Sequence, residues 1–346
     1  MQGSEAAINF ISDNAAPVAP KIMAALQRAN EGAALSYGND ALTQGLEDRF
    51  RALFECDLKV FPVATGTAAN VLGISSFTPP YGAIFCHRSA HIENDECGAP
   101  EFYTGGAKLV VLDGPDGKLW PDTLEEAILQ DGGSVHHVVP SVISITQASE
   151  CGTVYRPGEI EDIARLARRH GLILHMDGAR FGNALEFLGS HPADLTWRAG
   201  VDVLSFGATK NGAMGAEAVV FFNMEKAREF EFRRKRGGHL FSKMRYLGAQ
   251  IDASLDGDYW RELAAGANRQ AARLAERLTQ VSGAEILYPV EANMIFVKLP
   301  EAVLARLAAS NILYHRRAND RDGVIRLVTS WNTTEAEVEA LVNVIA

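Results

Sequence analysis

The sequence has few cysteines, no long apolar run and no excess of positive charge. Its 346 residues include four cysteines with neither a CxxC pair nor the spacing of a zinc site, so a disulfide-rich or zinc-stapled scaffold is excluded. No apolar segment approaches the ~20 residues of a membrane-spanning helix, and the first residues lack a basic, apolar leader. We therefore expect a cytoplasmic protein that binds no membrane. We expect its cysteines to be buried free thiols: Cys56, Cys86, Cys97 and Cys151.

The charge of the chain excludes further partners. Lys and Arg number 33 against 43 Asp and Glu, giving a net charge of −10, which argues against binding to nucleic acid. A hydrophobic fraction of 47% with 22% charged residues excludes a disordered, collagen-like or coiled-coil protein. The net charge still leaves room for a local basic pocket that binds an anionic small molecule.

Short apolar runs alternate with amphipathic stretches over most of the chain, and such runs are typical of strands in a buried parallel or mixed sheet. Between two of them, Pro157 and Gly158 open a helix that Gly171 ends. This strand–helix–strand order predicts an α/β fold with helices on both faces of the sheet. No GxGxxG fingerprint follows the first strand, which weighs against a nucleotide-binding module. The predicted strands lie near 82–85, 109–112, 138–145, 172–177, 201–206 and 219–222.

The pattern changes near residue 250. A long helix over 259–281 is followed by alternating short strands and helices, with a final helix from Glu335. We therefore predict a large domain over residues 1–250 and a small α+β domain over residues 251–346. The basic segment 233–245 is expected to cross their junction.

Two charged residues follow predicted strands. Lys210 lies in the small-residue loop SFGATKNGAMG, where desolvation would lower the pKa of its amine and let it form a Schiff base with an aldehyde; a solvated surface lysine is the alternative. Asp177 ends an apolar strand in HMDGAR, at the strand end where open α/β sheets bind ligands. It suits a protonated pyridine nitrogen, or else a salt bridge to Arg180.

Three other segments are candidates for binding or proton transfer. Gly66 and Thr67 stand where a strand gives way to a helix, which suits a phosphate, although a plain turn is the alternative. His91 lies on a loop after a strand and is suited to stack on a planar ring or to handle a proton, unless it is only a loop histidine. Arg326, between apolar neighbours, suits bidentate carboxylate binding or an internal ion pair. His175, on the same strand face as Asp177, supports that carboxylate or simply packs.

Together these segments resemble the fold-type I pyridoxal-phosphate enzymes, and more narrowly the low-specificity L-threonine aldolase branch of the β-eliminating lyase family. The resemblance covers nearly the whole chain. It implies a large domain with a mainly parallel sheet sandwiched by helices, and a small α+β carboxy-terminal domain. The matching motifs are SDN at Ser12, YGND at Tyr37, TGTAAN at Thr65, AHIENDECGAPEF at Ala90, HMDGAR at His175, TKNG at Thr209 and IRLVTSW at Ile325.

The resemblance implies a role for each matching residue. Lys210 resembles the Schiff-base lysine, Asp177 the partner of the pyridine nitrogen and His91 the histidine stacked on the ring. Gly66 and Thr67 match the phosphate turn, with Thr209 as an additional donor. The rest of the implied site is formed by Arg180 near the cofactor oxygen and the substrate carboxylate, Ser12 and Arg326 in the carboxylate clamp, and Tyr37 presented across a subunit interface. No metal is expected, and a dimer or a dimer of dimers is implied.

The sequence departs from the family pattern in two places. Where many relatives have a histidine placed to touch the substrate hydroxyl, the matching stretch here is TQASECG, and Glu150 fills the position. The segment RRKRGGHLFSKMR also differs. It leaves open whether Lys235, Lys243 or Arg245 supplies a cation to the site.

The implied activity is retro-aldol cleavage of L-threonine, L-allo-threonine and related β-hydroxy-α-amino acids to glycine and an aldehyde. Pyridoxal 5'-phosphate is the implied cofactor, and His91 or a water that it orders is the expected base for the β-hydroxyl proton. A phenylserine aldolase, another β-eliminating lyase and an aminotransferase-like enzyme are the alternatives. The sequence fixes neither the preferred aldehyde nor the preference at Cβ.

Overall fold

The structure, a computed structural model, describes residues 7–130, 133–316 and 322–346. In these ranges the strands are β1 Ile8–Asn9, β2 Lys59–Val63, β3 Gly82–His87, β4 Lys108–Leu112, β5 Val139–Thr146, β6 Ile173–Gly178, β7 Val203–Gly207, β8 Glu217–Phe221, β9 Glu285–Ile286, β10 Met294–Lys298, β11 Ile312–Leu313 and β12 Val324–Val328. The helices are α1 Pro20–Ala29, α2 Ala41–Phe54, α3 Gly66–Ser75, α4 His91–Asn94, α5 Ala99–Thr104, α6 Pro121–Leu129, α7 Pro157–His170, α8 Phe181–Leu188, α9 Ala227–Arg236, α10 Arg245–Leu255, α11 Tyr259–Leu278, α12 Glu301–Ala308 and α13 Glu335–Ile345.

Seven strands form the main sheet, in the order β2-β8-β7-β6-β5-β3-β4. The pairs from β7 to β4 are parallel, whereas β8 is antiparallel to both β2 and β7. Each of the six apolar runs identified in the sequence forms one of these strands, so the predicted, mainly parallel sheet is confirmed. The predicted helix after Pro157 is also confirmed, because α7 ends at Gly171 with a positive φ of 69°.

Helices cover both faces of this sheet. Leu204 and Val220 face the hydrophobic cluster that includes α2, α7, α8 and α10. Their strand neighbours Val203 and Val219 face the opposite cluster, which includes α3 and α9. Successive strand residues point to opposite faces, so apolar residues at consecutive positions require cover on both sides. This burial explains why the strands appear in the sequence as continuous apolar runs.

A third hydrophobic cluster surrounds the antiparallel sheet β12-β10-β9, against which α11, α12 and α13 pack. The amino-terminal segment joins this cluster, because β1 pairs with β11 in parallel and the side chain of Phe10 is fully buried there. Burial of a phenylalanine side chain stabilises a fold by about 2–3 kcal/mol. The segment that carries Ser12 therefore packs against residues that lie more than 250 positions further along the sequence.

The four cysteines are free but not equally buried. Cys86 and Cys151 are buried, Cys56 is half-buried and Cys97 is exposed. The expectation of buried thiols is therefore wrong for Cys97, which lies in the loop between α4 and α5. Burial raises the pKa of the Cys86 thiol to about 12.

Within the described ranges, no helix is long and apolar enough to cross a membrane.

A fully buried histidine joins three neighbouring strands. His175 on β6 makes hydrogen bonds with the Ser144 hydroxyl on β5 (Nδ1 to Oγ, 2.9 Å) and the Ser205 hydroxyl on β7 (Nε2 to Oγ, 3.1 Å). Burial lowers its pKa to about 4, and the charge of Asp177 opposes this only in part. His175 is therefore a neutral structural link at neutral pH.

The pKa of His175 predicts a pH-dependent stability. The unfolded chain binds a proton at this histidine near pH 6.5 and the folded chain only near pH 4, so its contribution is complete above pH 6.5 and is lost as the pH falls towards 4. The shift corresponds to about 3 kcal/mol. We expect the wild type to lose stability relative to His175→Asn as the pH falls from 6.5 to 4, as measured by urea denaturation at several pH values.

The wild type must be compared with His175→Asn because Glu217 changes the stability with pH in the opposite direction. Burial raises the pKa of this carboxyl to about 7, so its contribution is present at low pH and is lost as the pH rises towards 7. Subtracting the His175→Asn curve from the wild-type curve cancels the contribution of Glu217. A difference that stays constant between pH 4 and pH 6.5 would contradict the prediction.

Candidate active site

The predicted site residues follow strands that end at one edge of the main sheet. Asp177 ends β6, and His91, Glu150 and Lys210 come soon after β3, β5 and β7. Strands β3, β5, β6 and β7 are parallel, so their carboxyl ends lie at the same edge, where open α/β sheets bind ligands. Gly66 joins them, because β2 also runs parallel to β7 through the intervening antiparallel β8.

Lys210 is half-buried in a short 3₁₀ turn, Thr209–Asn211. The carboxylate of Glu217 accepts a hydrogen bond from the backbone N–H of Ala208 (2.8 Å). Asn211 Nδ2 donates to the carbonyl of Trp260 (2.6 Å). These bonds anchor the turn on either side of Lys210, which is therefore not a freely solvated surface lysine. The sequence did not point to Glu217, whose partners are set by the pairing of β8 with β7.

The Thr209 hydroxyl is already used within the same loop. It donates to the carbonyl of Ala216 (3.3 Å) and accepts from the N–H of Ala216 (3.1 Å). In this structure Thr209 fixes the shape of the lysine turn. To donate to a phosphate, as predicted, this hydroxyl would have to give up its hydrogen bond to the carbonyl of Ala216.

Asp177 is buried and is held by two donors. Its Oδ1 accepts from the N–H of Ala179 (3.0 Å) and its Oδ2 from Asn70 Nδ2 (2.8 Å). The alternative of a salt bridge from Asp177 to Arg180 is wrong, because Arg180 pairs with Asp13 instead. Asn70 lies on α3, within the TGTAAN motif, and no local signal in the sequence pointed to this contact.

Arg180 and Asp13 form a buried, two-pronged ion pair. Arg180 Nε donates to Asp13 Oδ2 (2.8 Å) and its NH2 donates to Oδ1 (3.1 Å), while Asn293 Nδ2 donates to Oδ2 (3.0 Å). Burial raises the pKa of the Asp13 carboxyl, but the positive charges of Arg180 and Lys210 outweigh burial, and the pKa lies below its usual value. The fork of Arg180 that would bind a substrate carboxylate thus already binds Asp13. Asp13 adjoins the predicted Ser12, and sequence reasoning missed it.

Ser12 itself caps the turn that carries Asp13, its Oγ accepting from the N–H of Asn14 (3.1 Å). Arg326 lies on β12 and its NH2 reaches the carbonyl of Ile11 at 3.4 Å. Among the described residues, no carboxylate forms a salt bridge with Arg326, and its buried Nε has no hydrogen-bond partner. Burial lowers the pKa of this guanidinium, and the nearby charge of Arg180 lowers it further. An anion beside Arg326 would relieve both effects.

His91 stands at the start of α4 and its Nδ1 lies 2.8 Å from Oε1 of Glu96. The hydrogen bond to Glu96 raises the pKa of His91 more than burial lowers it, and the charges of Asp177 and Glu150 raise it further. Glu150 is half-buried, and its charge also acts on Arg180 and Arg326. Glu150 stands where the sequence departs from the family pattern, and it therefore places a carboxylate near His91, Arg180 and Arg326.

The start of α3 offers space for an anion. The Thr65 hydroxyl caps the helix by accepting from the N–H of Ala68 (3.1 Å), and a Cβ added at Gly66 would meet no atom within 4 Å. The N–H groups of a helix start attract a phosphate. Gly66 and Thr67 are the first two residues of α3, and their role in holding a phosphate stays a prediction.

Tyr37 lies outside this hydrogen-bonded group. Its backbone has a positive φ of 58°, its side chain is 46% exposed and its ring lies under Lys235, with Nζ 4.7 Å from the ring centroid. The N–H of Tyr37 donates to the carbonyl of Ser242 (2.9 Å), the neighbour of Lys243. Lys235 and the segment of Lys243 thus both lie beside Tyr37, whereas Arg245 donates to the carbonyl of Gly32 (2.9 Å). Within the described residues, no cluster of three or more His, Cys, Asp or Glu side chains is arranged to hold a metal ion.

The fold is that of the fold-type I pyridoxal-phosphate-dependent enzymes. A methionine aminotransferase from Escherichia coli shares this fold with a TM-score of 0.74 at 14% identity, over 98% of this chain and 92% of that one. A threonine aldolase from Leishmania major matches more closely, with a TM-score of 0.91 at 31% identity, over 97% and 98% of the two chains.

The sequence comparisons narrow this class. A low specificity L-threonine aldolase from a Pseudomonas species is 43% identical over 332 residues, which are 96% of this chain and 95% of that protein. The family model for beta-eliminating lyases matches residues 9–302. The chain belongs to the beta-eliminating lyase family, as its motifs predicted.

Proposed function

We propose that this protein is a pyridoxal-phosphate-dependent aldolase that cleaves L-threonine, L-allo-threonine and related β-hydroxy-α-amino acids to glycine and an aldehyde. The observation that carries the proposal is the meeting of Lys210, Asp177 and His91 at the carboxyl edge of the sheet. Their meeting in a chain so similar to named threonine aldolases favours this reaction over others of the same fold.

The residues present fit the cofactor. Gly66 and Thr67 at the start of α3 would take its phosphate, and Asp177 would hold its ring nitrogen protonated. Lys210 would supply the amine that binds its aldehyde group, and the ring of His91 would lie against its face. When bound, the cofactor accepts the electron pair left by the breaking bond at the substrate α-carbon.

The residues around this position bind and orient the amino acid. Arg326 has an unpaired buried Nε and is the proposed partner of the α-carboxylate, with Ser12 beside it. Arg180 is paired with Asp13, and its positive charge acts on the region around Arg326. Fixing the carboxylate would hold the bond between Cα and Cβ in the orientation that cleavage requires.

His91 is the proposed acceptor of the β-hydroxyl proton, directly or through an ordered water. The negative charge of Glu150 raises the pKa of His91. This carboxylate would therefore stabilise His91 after it has accepted the proton, or would orient the substrate hydroxyl. Removal of that proton and expulsion of the aldehyde leave an electron pair at Cα. The return of one proton to Cα then gives glycine as the second product.

An aldehyde-release assay with added cofactor tests the proposal. We expect aldehyde and glycine from L-threonine, L-allo-threonine or phenylserine, and no product from the D-isomers. Pyruvate and ammonia from serine would instead indicate β-elimination, and a keto acid that forms only with an acceptor would indicate transamination. Either result without aldehyde release would overturn the proposed aldolase.

We further propose a cytoplasmic homo-oligomer, a dimer of dimers, in which Tyr37 faces the site of a neighbouring subunit. Large apolar side chains beside it are exposed in the single chain, Leu35 by 71% and Phe241 by 39%, and such side chains are often covered by a partner. Sedimentation equilibrium measures the subunit number. The proposed division into residues 1–250 and 251–346 is supported by the separate hydrophobic cluster around β10 and β12, to which Ile8 and Phe10 of the amino-terminal segment also contribute.

A further inference from the structure

We propose that Glu96 and Asn70 are positioning residues that tie His91 to Asp177 and leave the Nε2 atom of His91 free to accept a proton. The two residues are called here the Asn70–Glu96 bridge. The inference deepens the proposed function, on which it rests, because it assigns how the proposed base is oriented.

The bridge is a continuous chain of three hydrogen bonds. His91 Nδ1 lies 2.8 Å from Glu96 Oε1, and the same oxygen accepts from Asn70 Nδ2 at 2.9 Å. Asn70 Nδ2 donates its other hydrogen to Asp177 Oδ2 at 2.8 Å. One amide group thus holds two carboxylates, which belong to the loop after α4 and to the end of β6.

The acceptor character of Glu96 determines the form of the histidine. An ionised carboxylate only accepts hydrogen bonds, so Nδ1 of His91 must carry a hydrogen to bond it. In the neutral ring the lone pair then lies on Nε2, which is the arrangement of an oriented base. The charged groups that act on His91 are Glu96, Asp177 and Glu150, and all of them favour its protonated form.

Burial makes this arrangement unfavourable for stability alone. The Glu96 side chain is fully buried, and Glu96 Oε2 and Asn70 Oδ1 have no hydrogen-bond partner among the described residues. A buried polar atom without a partner destabilises a fold. Burial raises the pKa of Glu96, and the charge of Asp177 adds to this, whereas the bonds from His91 and Asn70 lower it. Apolar side chains would fill the same space at lower free energy, so the bridge indicates a function beyond packing.

The wild-type protein provides the first test. Selectively labelled histidine in the cofactor-loaded protein reports the protonation of each ring nitrogen by NMR as the pH is varied. We expect the neutral ring of His91 to carry its hydrogen on Nδ1, and its pKa to exceed the ordinary value of 6.5. A hydrogen on Nε2, or a pKa at or below 6.5, would overturn the proposal.

Glu96→Gln provides the second test, because it keeps the shape of the side chain and removes its charge. We expect the pKa of His91 to fall, and the acid limb of the kcat/KM profile to move to lower pH with it. We expect kcat to fall by about 10²-fold with KM changed less than about threefold, since the bridge does not touch the substrate.

Glu96→Asp keeps the charge and should restore part of both values. Glu93→Gln is the matched control, because Glu93 is an exposed carboxylate on the same helix as His91, and it should leave both values unchanged. An unchanged pKa in Glu96→Gln would overturn the bridge even if activity fell. If the tautomer and pKa are as expected but no substrate releases an aldehyde, the bridge stands and the proposed function falls.

Discussion

Replacement of Lys210 by alanine is expected to lower the rate of aldehyde release by at least about 10⁴-fold, because it removes the amine that would bind the cofactor. The turn that carries Lys210 is anchored from both sides, by Glu217 and by Asn211, so the substitution should leave the turn itself in place. The yellow colour of the lysine-bound cofactor should disappear as well. Absorbance spectra and the aldehyde assay measure the two effects independently.

The control for this variant is Lys108→Ala, since Lys108 is an exposed lysine at the start of β4, far along the sheet from β7. It should keep both the colour and the rate. Borohydride reduction, which fixes a cofactor on its lysine, should label the wild type and Lys108→Ala but not Lys210→Ala. Retention of both colour and aldehyde release in Lys210→Ala would contradict the assignment.

Replacement of Asp13 by alanine is expected to lower the free energy of unfolding by about 3–5 kcal/mol, the usual effect of leaving one partner of a buried ion pair alone. The side chains of Arg180 and Asp13 are 4% and 1% exposed, so water cannot replace the lost carboxylate. Asn293 Nδ2 loses its bond to the same group and keeps only its bond to the carbonyl of Thr329. Urea denaturation at one fixed cofactor concentration measures the change, because ligand binding adds to stability.

An exposed ion pair supplies the matched control. On α7, Asp162 Oδ1 lies 3.0 Å from Arg165 NH1. The side chain of Asp162 is 52% exposed and that of Arg165 is 66% exposed. Pairs of this kind contribute about 0–1 kcal/mol, so Asp162→Ala should be nearly neutral. If Asp13→Ala is no more destabilising than Asp162→Ala, Arg180 is not the isolated buried charge that the structure implies.

Much of the main sheet was predictable from the sequence because its signals are local. Strands buried on both faces appear as continuous apolar runs, and β3, β5, β6 and β7 were identified in this way. The start and end of α7 followed from Pro157 and Gly171 for the same reason. The exposed position of Cys97 was not predictable, because composition gives the usual burial of a residue type and not its place in a loop.

The partners of the charged residues were less predictable. For Arg180 the sequence offered Asp177, three positions away, but the structure pairs it with Asp13, 167 positions away. The amino-terminal segment reaches that place because β1 pairs with β11 and Phe10 is buried in the carboxy-terminal cluster. No periodicity near Ser12 reports such a pairing, since it depends on a contact between the two ends of the chain.

The sequence by itself determined the family, the mainly parallel sheet and the edge at which Lys210, Asp177 and His91 meet. It did so because parallel strands place their carboxyl ends together, whatever the details of packing. Only the tertiary structure decided which groups bind one another there, with Asn70 between Glu96 and Asp177 and Asp13 on Arg180. A hydrogen bond requires two atoms to lie within about 3 Å, and that distance is set by the packing of segments that are remote in the sequence.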